Sequence, residues 1–156
     1  MRLHLISAGT RMPPWVVQGF DQFATRLPPE CSLQLHEIPL GRRSRNTNPL
    51  RAREDEGRRM LAAVPKNARV IALDVTGRGW STEQLAAAMQ DWLQDGRDLA
   101  LLVGGPEGLA PACVARAELR WSLSPLTFPH MLVRLIVAEQ LYRAWSLLKG
   151  HPYHRA

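Results

Sequence analysis

Leu99-Ala-Leu-Leu-Val-Gly-Gly-Pro-Glu-Gly108 is the stretch that decides how the chain is read. Its first half is a short, uninterrupted apolar run bounded by turn residues, the pattern of a strand buried on both faces of a parallel sheet. Gly104, Gly105 and Gly108 follow at once. Ligands of open α/β sheets lie just beyond the carboxyl ends of the strands. Glycine there lets the backbone approach a ligand, because no Cβ stands in the way. The stretch is therefore a candidate cofactor loop, with a tight structural turn as the alternative.

Working outward, strand and helix patterns alternate. Arg2–Ala8 and Ser32–Ile38 read as strands, through Leu3 and Leu5 and through Leu33 and Leu35. Between them, Pro13 and Pro14 open a helix whose apolar face is Trp15, Val16, Phe20, Phe23 and Leu27, and Pro28 and Pro29 end it. Gly41–Asn48 is a polar, basic loop. Asn48 and Pro49 form an N-cap with proline at the first helical position, and the helix runs to about Val64. Arg69–Asp74 is a third strand, and Val75–Trp80 is expected to be a loop. Ser81 and Gln84 make a capping box for a helix that Gly96 closes. Beyond the opening stretch come a short helix over Pro111–Ala117, an amphipathic strand over Glu118–Leu123 and a last helix over Met131–Leu148. The class is α/β, a mostly parallel sheet flanked by helices, in a single domain over residues 1–156.

The last helix is apolar around much of its circumference, with Arg134 in the middle of the apolar side. Such a helix is covered by more than its own sheet. We expect a subunit interface, and a helix wedged inside one chain is the other reading. Arg134 needs a carboxylate partner, since an unpaired buried charge is costly, and Glu107 is one candidate.

The composition is that of an ordinary globular protein, 46% hydrophobic and 22% charged. Met1–Gly9 is too short for a signal-peptide apolar region, and no run reaches the length of a membrane span, so a cytoplasmic protein with no membrane partner is expected. Cys31 and Cys113 form no metal-binding pair and are expected to be reduced and buried. His151 and His154 have no further ligand nearby, so no metal is expected. The formal charge of +6 favours a polyanionic partner. Arg42, Arg43, Arg45, Arg51, Arg53, Arg58 and Arg59 face only Glu54, Asp55 and Glu56 in their segment.

The glycine loop is not a dinucleotide fingerprint, which needs G-x-G-x-x-G. The chain also lacks G-K-[ST] and G-x-S-x-G, which excludes a P-loop and the α/β-hydrolase serine. Leu123-Ser-Pro-Leu-Thr-Phe128 mixes apolar side chains with hydroxyls and backbone groups after a strand end. That mixture suits a flat heteroaromatic ligand such as adenine, or an ordinary strand-to-helix connection.

Gly104-Gly-Pro-Glu-Gly108, Leu123–Phe128 with Pro129-His130, Tyr142-Arg-Ala-Trp145 and His151-Pro-Tyr-His-Arg155 occur in this order and spacing in one known family. On them, and from Gly9-Thr10 and Met12-Pro13 onward, the chain resembles the RlmH family, SPOUT-class enzymes that methylate N3 of a pseudouridine in 23S ribosomal RNA. The resemblance implies a trefoil knot in the C-terminal half, a homodimer, action on the assembled ribosome, and S-adenosylmethionine as methyl donor. It implies a donor pocket of Leu73, Gly104 and Leu123, Ser124, Pro125, Leu126, Thr127 and Phe128. By chemical type and tail position, Tyr153, His154 and Arg155 become catalytic candidates. His130 is a further proton acceptor and Asp74 a weaker one, a capping role being its alternative. Arg42, Arg43 and Arg45 become candidates for gripping RNA phosphates. The alternatives are a flavodoxin-like or other nucleotide-binding α/β protein without methyl transfer, and a ribosome-binding module without catalysis.

Overall fold

The structure is a computed structural model. It describes the backbone of residues 1–155 and side chains through Tyr153. The strands are β1 (Arg2–Ala8), β2 (Ser32–Ile38), β3 (Arg69–Gly79), β4 (Leu99–Val103) and β5 (Leu119–Ser122). The helices are α1 (Pro14–Ala24), α2 (Pro49–Ala63), α3 (Thr82–Asp95), α4 (Pro111–Arg116) and α5 (His130–Leu148). Short 3-10 turns lie at Pro29–Cys31 and Pro152–Arg155.

The strands form one sheet in the order β2-β1-β4-β3-β5, and every pairing is parallel. Alternation along β4 sets the two layers. Leu99, Leu101 and Val103 join Leu3, Leu5, Ile71 and Trp121 under α1, α3 and α5. Ala100 and Leu102 join Ile6, Ala8 and Val70 under α2 and α4. All five residues of β4 are buried, as a two-faced apolar strand requires.

The expected caps are present. Asn48 Oδ1 accepts from the Leu50 amide at 3.0 Å. Ser81 Oγ accepts from the Gln84 amide at 3.1 Å, and Gln84 Oε1 accepts from the Ser81 amide at 2.9 Å. Gly96 ends α3 in the left-handed region at φ 79°. Cys31 and Cys113 are free and buried.

Two expectations are corrected. The segment from Val75 is not a plain loop: β3 continues to Gly79. Its register against β5 slips, so that both Leu73 and Arg78 stand opposite Trp121. Gly77 makes the return possible, because a Cβ there would lie 2.6 Å from the Arg120 carbonyl carbon. The glycine that reads as a loop residue serves instead for close strand contact. Secondly, the partner of Arg134 is Glu37, not Glu107. Arg134 sits on α5 over the carboxyl ends of β1 and β2, where Ser7 and Glu37 are register partners. Its Nη1 donates to Glu37 Oε2 at 2.8 Å, and its Nη2 to Ser7 Oγ at 3.2 Å and the Gly9 carbonyl at 3.1 Å.

From Met131 to Leu148 no residue of α5 is exposed, and the helix packs against α1 and α3 of its own chain. That wedge accounts for its apolar circumference within one chain. Among the described residues no helix is long and apolar enough to cross a membrane.

Candidate active site

The carboxyl ends of β4 and β5 and the Leu73–Val75 stretch of β3 surround a cavity of about 660 Å³. This is within the usual range for small-molecule sites. Leu73, Gly104, Leu123, Ser124, Leu126, Thr127 and Phe128 all line it. Pro125, which is exposed, does not. A smaller pocket of about 230 Å³ shares Trp121, Leu123 and Phe128 with it.

The glycine loop forms one wall. The Gly108 amide donates to the Gly105 carbonyl at 2.9 Å, and the two residues form an antiparallel bridge. This tight fold-back lays the Gly108 backbone on Gly104, where a Cβ would meet the Gly108 carbonyl carbon at 2.3 Å. Only glycine fits at position 104. The opposite wall is held by local bonds: Ser122 Oγ donates to the Ser124 carbonyl at 3.0 Å, and the Leu126 amide donates to Ser124 Oγ at 3.0 Å. Leu126 is left 70% exposed at the cavity rim.

Three titratable side chains line the same cavity: Asp74, Glu107 and His130. Asp74 Oδ1 accepts from the Thr76 amide and hydroxyl, both at 2.9 Å, so the capping role foreseen for it is real and coexists with its place on the wall. Burial, and then the charge of Arg134, push the His130 pKa below its ordinary value, so its ring is neutral at pH 7 and able to accept a proton. Glu107 is held ionised below its ordinary pKa by hydrogen bonds from Arg43.

Tyr153 of the tail lies elsewhere in its own chain. Tyr153 is not on the cavity wall. Its hydroxyl donates to Glu139 Oε1 at 3.0 Å, and its ring meets Tyr142 edge-on at 4.8 Å. The side chains of His154 and Arg155 lie outside the described residues.

The basic loop divides. Arg42 and Arg45 are exposed, whereas Arg43 is half-buried between carboxylates. Arg58 and Arg59 both pair with Asp55 at 3.0 Å on the exposed face of α2.

Sequence reasoning missed Val114 of α4 and Val133 of α5, which also line the cavity. Both arrive by helix packing, and nothing in their local sequence marks them. Among the described residues no group of His, Cys, Asp and Glu is placed to hold a metal ion.

A family model described as "Predicted SPOUT methyltransferase" matches residues 1–154. Curated relatives cover essentially the whole chain. The chain is 64% identical over 156 residues to the ribosomal RNA large subunit methyltransferase H of Alkalilimnicola ehrlichii, covering 100% of both chains. It is 62% identical over 155 residues to the protein of that name from Thioalkalivibrio sulfidiphilus, covering 99% of each. A third, from Methylococcus capsulatus, is 59% identical over 155 residues, covering 99% of this chain and 100% of its own.

Proposed function

We infer the function from the premise that this chain belongs to the SPOUT methyltransferase family, whose model spans residues 1–154. The chain is a methyltransferase, and its substrate is ribosomal RNA of the large subunit, the activity in the name of its relatives. We propose S-adenosylmethionine as donor, N3 of a pseudouridine in 23S RNA of the assembled ribosome as acceptor, and the cytoplasm as compartment. The observation that carries the reading is the cavity at the ends of β4 and β5 beside Leu73–Val75 of β3, in which residues from three distant stretches meet.

The residues present fit the donor. Gly104 keeps one wall open at the level of the backbone. Leu73, Leu123 and Phe128 offer apolar surface for an adenine, and the loop backbone from Leu123 to Phe128 offers amides and carbonyls for its edges. When bound, S-adenosylmethionine supplies a sulfonium-activated methyl carbon. The protein's task is then alignment of the two reactants and management of one proton.

The pseudouridine N3 loses its proton as the N–C bond forms. The neutral His130 imidazole is the candidate acceptor on this chain's own wall. Tyr153, His154 and Arg155 are proposed to act on the cavity of a second copy in a homodimer, because Tyr153 is docked on α5 in its own chain. There Arg155 would face the negative charge that develops on the base. Arg42 and Arg45 grip phosphates and add little base specificity.

The test is methyl transfer from methyl-tritiated S-adenosylmethionine to ribosomes of a strain lacking this activity, followed by mapping of the modified nucleotide. Label at N3 of one large-subunit pseudouridine is expected. Absence of label, or label on another base, overturns the reading. Donor-independent ribosome binding with no label would mark a non-catalytic module instead.

A further inference from the structure

The loop between β2 and α2 is bolted to the glycine loop of the cavity, and Arg43 is the bolt. Its Nε donates to both oxygens of Glu107 at 3.1 Å, and its Nη2 also donates to Glu107 Oε2. Its Nη1 donates to Glu56 Oε2 at 2.7 Å and to the Gly41 carbonyl at 3.0 Å. Glu56 is itself buried, and the same Oε2 accepts from the Gly41 amide at 2.7 Å. A Cβ on Gly105 would lie 3.2 Å from Glu56 Oε1, so the Glu56 carboxylate abuts the glycine loop directly. The geometry joins a cavity-wall residue, Glu107, to a segment whose next cations, Arg42 and Arg45, are exposed.

A guanidinium shared by two carboxylates is a stiff, directional joint, because its planar fork fixes both partners. It is also an unusual use of an arginine inside a basic loop. The cation in the centre of the cluster is engaged by two carboxylates, while its neighbours are exposed. The joint therefore ties the Gly104–Gly108 loop to the segment that carries Arg42 and Arg45.

We propose that Arg43 is a positioning residue that couples the two substrates: occupancy of the methyl-donor cavity orders the basic loop for RNA, and bound RNA tightens the donor cavity. This rests on the methyl-donor and RNA reading above. The coupling runs through Arg43–Glu107, with Glu56 holding the joint from behind. Free-energy linkage makes the effect reciprocal, so either ligand reports it.

The test is binding of the dimer or monomer, whichever the purified protein forms, to ribosomes from a strain lacking the activity. Affinity is measured with and without saturating S-adenosylhomocysteine, a non-reactive occupant of the donor cavity. In the wild type the occupant should tighten ribosome binding about fivefold or more, the lower range of typical couplings. Arg43→Gln should bring that ratio to about one. Arg43→Lys, which keeps a cation between Glu56 and Glu107, should restore part of it, which also answers a variant that folds poorly. Arg42→Gln and Arg45→Gln should weaken binding in both states and leave the ratio intact, because they remove a phosphate contact and not the joint. A wild-type ratio of one overturns the proposal, as does an undiminished ratio in Arg43→Gln. Either result with methyl transfer intact leaves the enzyme reading standing, whereas loss of transfer in the wild type removes that reading itself.

Discussion

Arg134 and Glu37 lie 97 positions apart and meet at 2.8 Å, an ion pair that ties the first turns of α5 to the end of β2. The arginine side chain is 2% exposed and the glutamate 37%. The pair is therefore lopsided: solvent reaches the acid and not the base. The arginine also satisfies Ser7 and the Gly9 carbonyl.

Arg134→Ala should be the more damaging of the two single changes. It leaves a cavity and removes the donors of two buried acceptors, a loss of about 3 kcal/mol. Glu37→Gln keeps a hydrogen-bond acceptor near the guanidinium and should cost about 1 kcal/mol. Urea unfolding of both variants checks the order, and a larger loss in Glu37→Gln would contradict it.

Gly104→Ala should damage donor binding more than folding. Its Cβ would press on the Gly108 backbone, and the loop would have to shift away from the cavity. A displacement near 1 Å costs about 100-fold in rate. Gly79→Ala, with nothing within 4 Å of its Cβ, is the matched control and should turn over normally. Calorimetry with S-adenosylhomocysteine and initial rates on ribosomes read both.

Acid should weaken the fold in two stages. His36 and His130 both titrate below the ordinary 6.5, chiefly because burial disfavours the charged ring. For His36 the neighbouring His4, with Nδ1 at 3.0 Å from His36 Nε2, adds to the shift. The unfolded chain then takes up these protons first, so stability is complete above pH 6.5 and declines as pH falls below it. The carboxylates follow. Hydrogen bonds from Arg43 hold Glu107 below its usual 4.5. Burial would raise Asp98, but donors from Arg2 and His4 outweigh it and hold the group below 3.8. Their contribution is present above those values and is lost as pH falls through the lower folded ones. Urea midpoints from pH 8 to pH 3 should show both stages, and His36→Gln should flatten the first.

The two thiols should be silent in the folded protein. Burial raises the Cys31 pKa to about 11 and raises that of Cys113 as well. The thiolate is the reactive form. An aromatic disulfide reagent should therefore label neither at pH 8 until denaturant is added. Rapid labelling of native protein would show that one of them opens to solvent.

How far the sequence carried these features depended on where each signal lay. The Asn48 cap, the Ser81–Gln84 box, the Gly96 terminus and the two-faced burial of β4 are each written in a few adjacent residues, and local chemistry was enough to find them. The proposed donor stretch from Leu123 to Phe128 came from its mixed composition after a strand end together with the family resemblance, and Leu73 and Gly104 from that resemblance placed on strand ends. Partner choice was not legible. Glu107 was the mate expected for Arg134, and only strand register puts Glu37 beside Ser7 within its reach. The path of β3 past Leu73 was likewise hidden, because the glycine that serves close packing has the same letter as one that serves a turn. Arg43 reads as one more basic residue until its carboxylates appear from 13 and 64 positions away.

The strand order has a consequence for how the molecule is born. β4 lies between β1 and β3, so the first and third strands never touch as neighbours. A nascent chain emerging from the ribosome can pair β1 with β2 early, but its inner edge stays open until residue 103 has been made. Such long-range closure is slow and leaves an exposed strand edge in the interim. The segment that finally shuts the gap runs straight into Gly104, so vectorial synthesis delivers the glycine loop in the same event that joins β1 to β3.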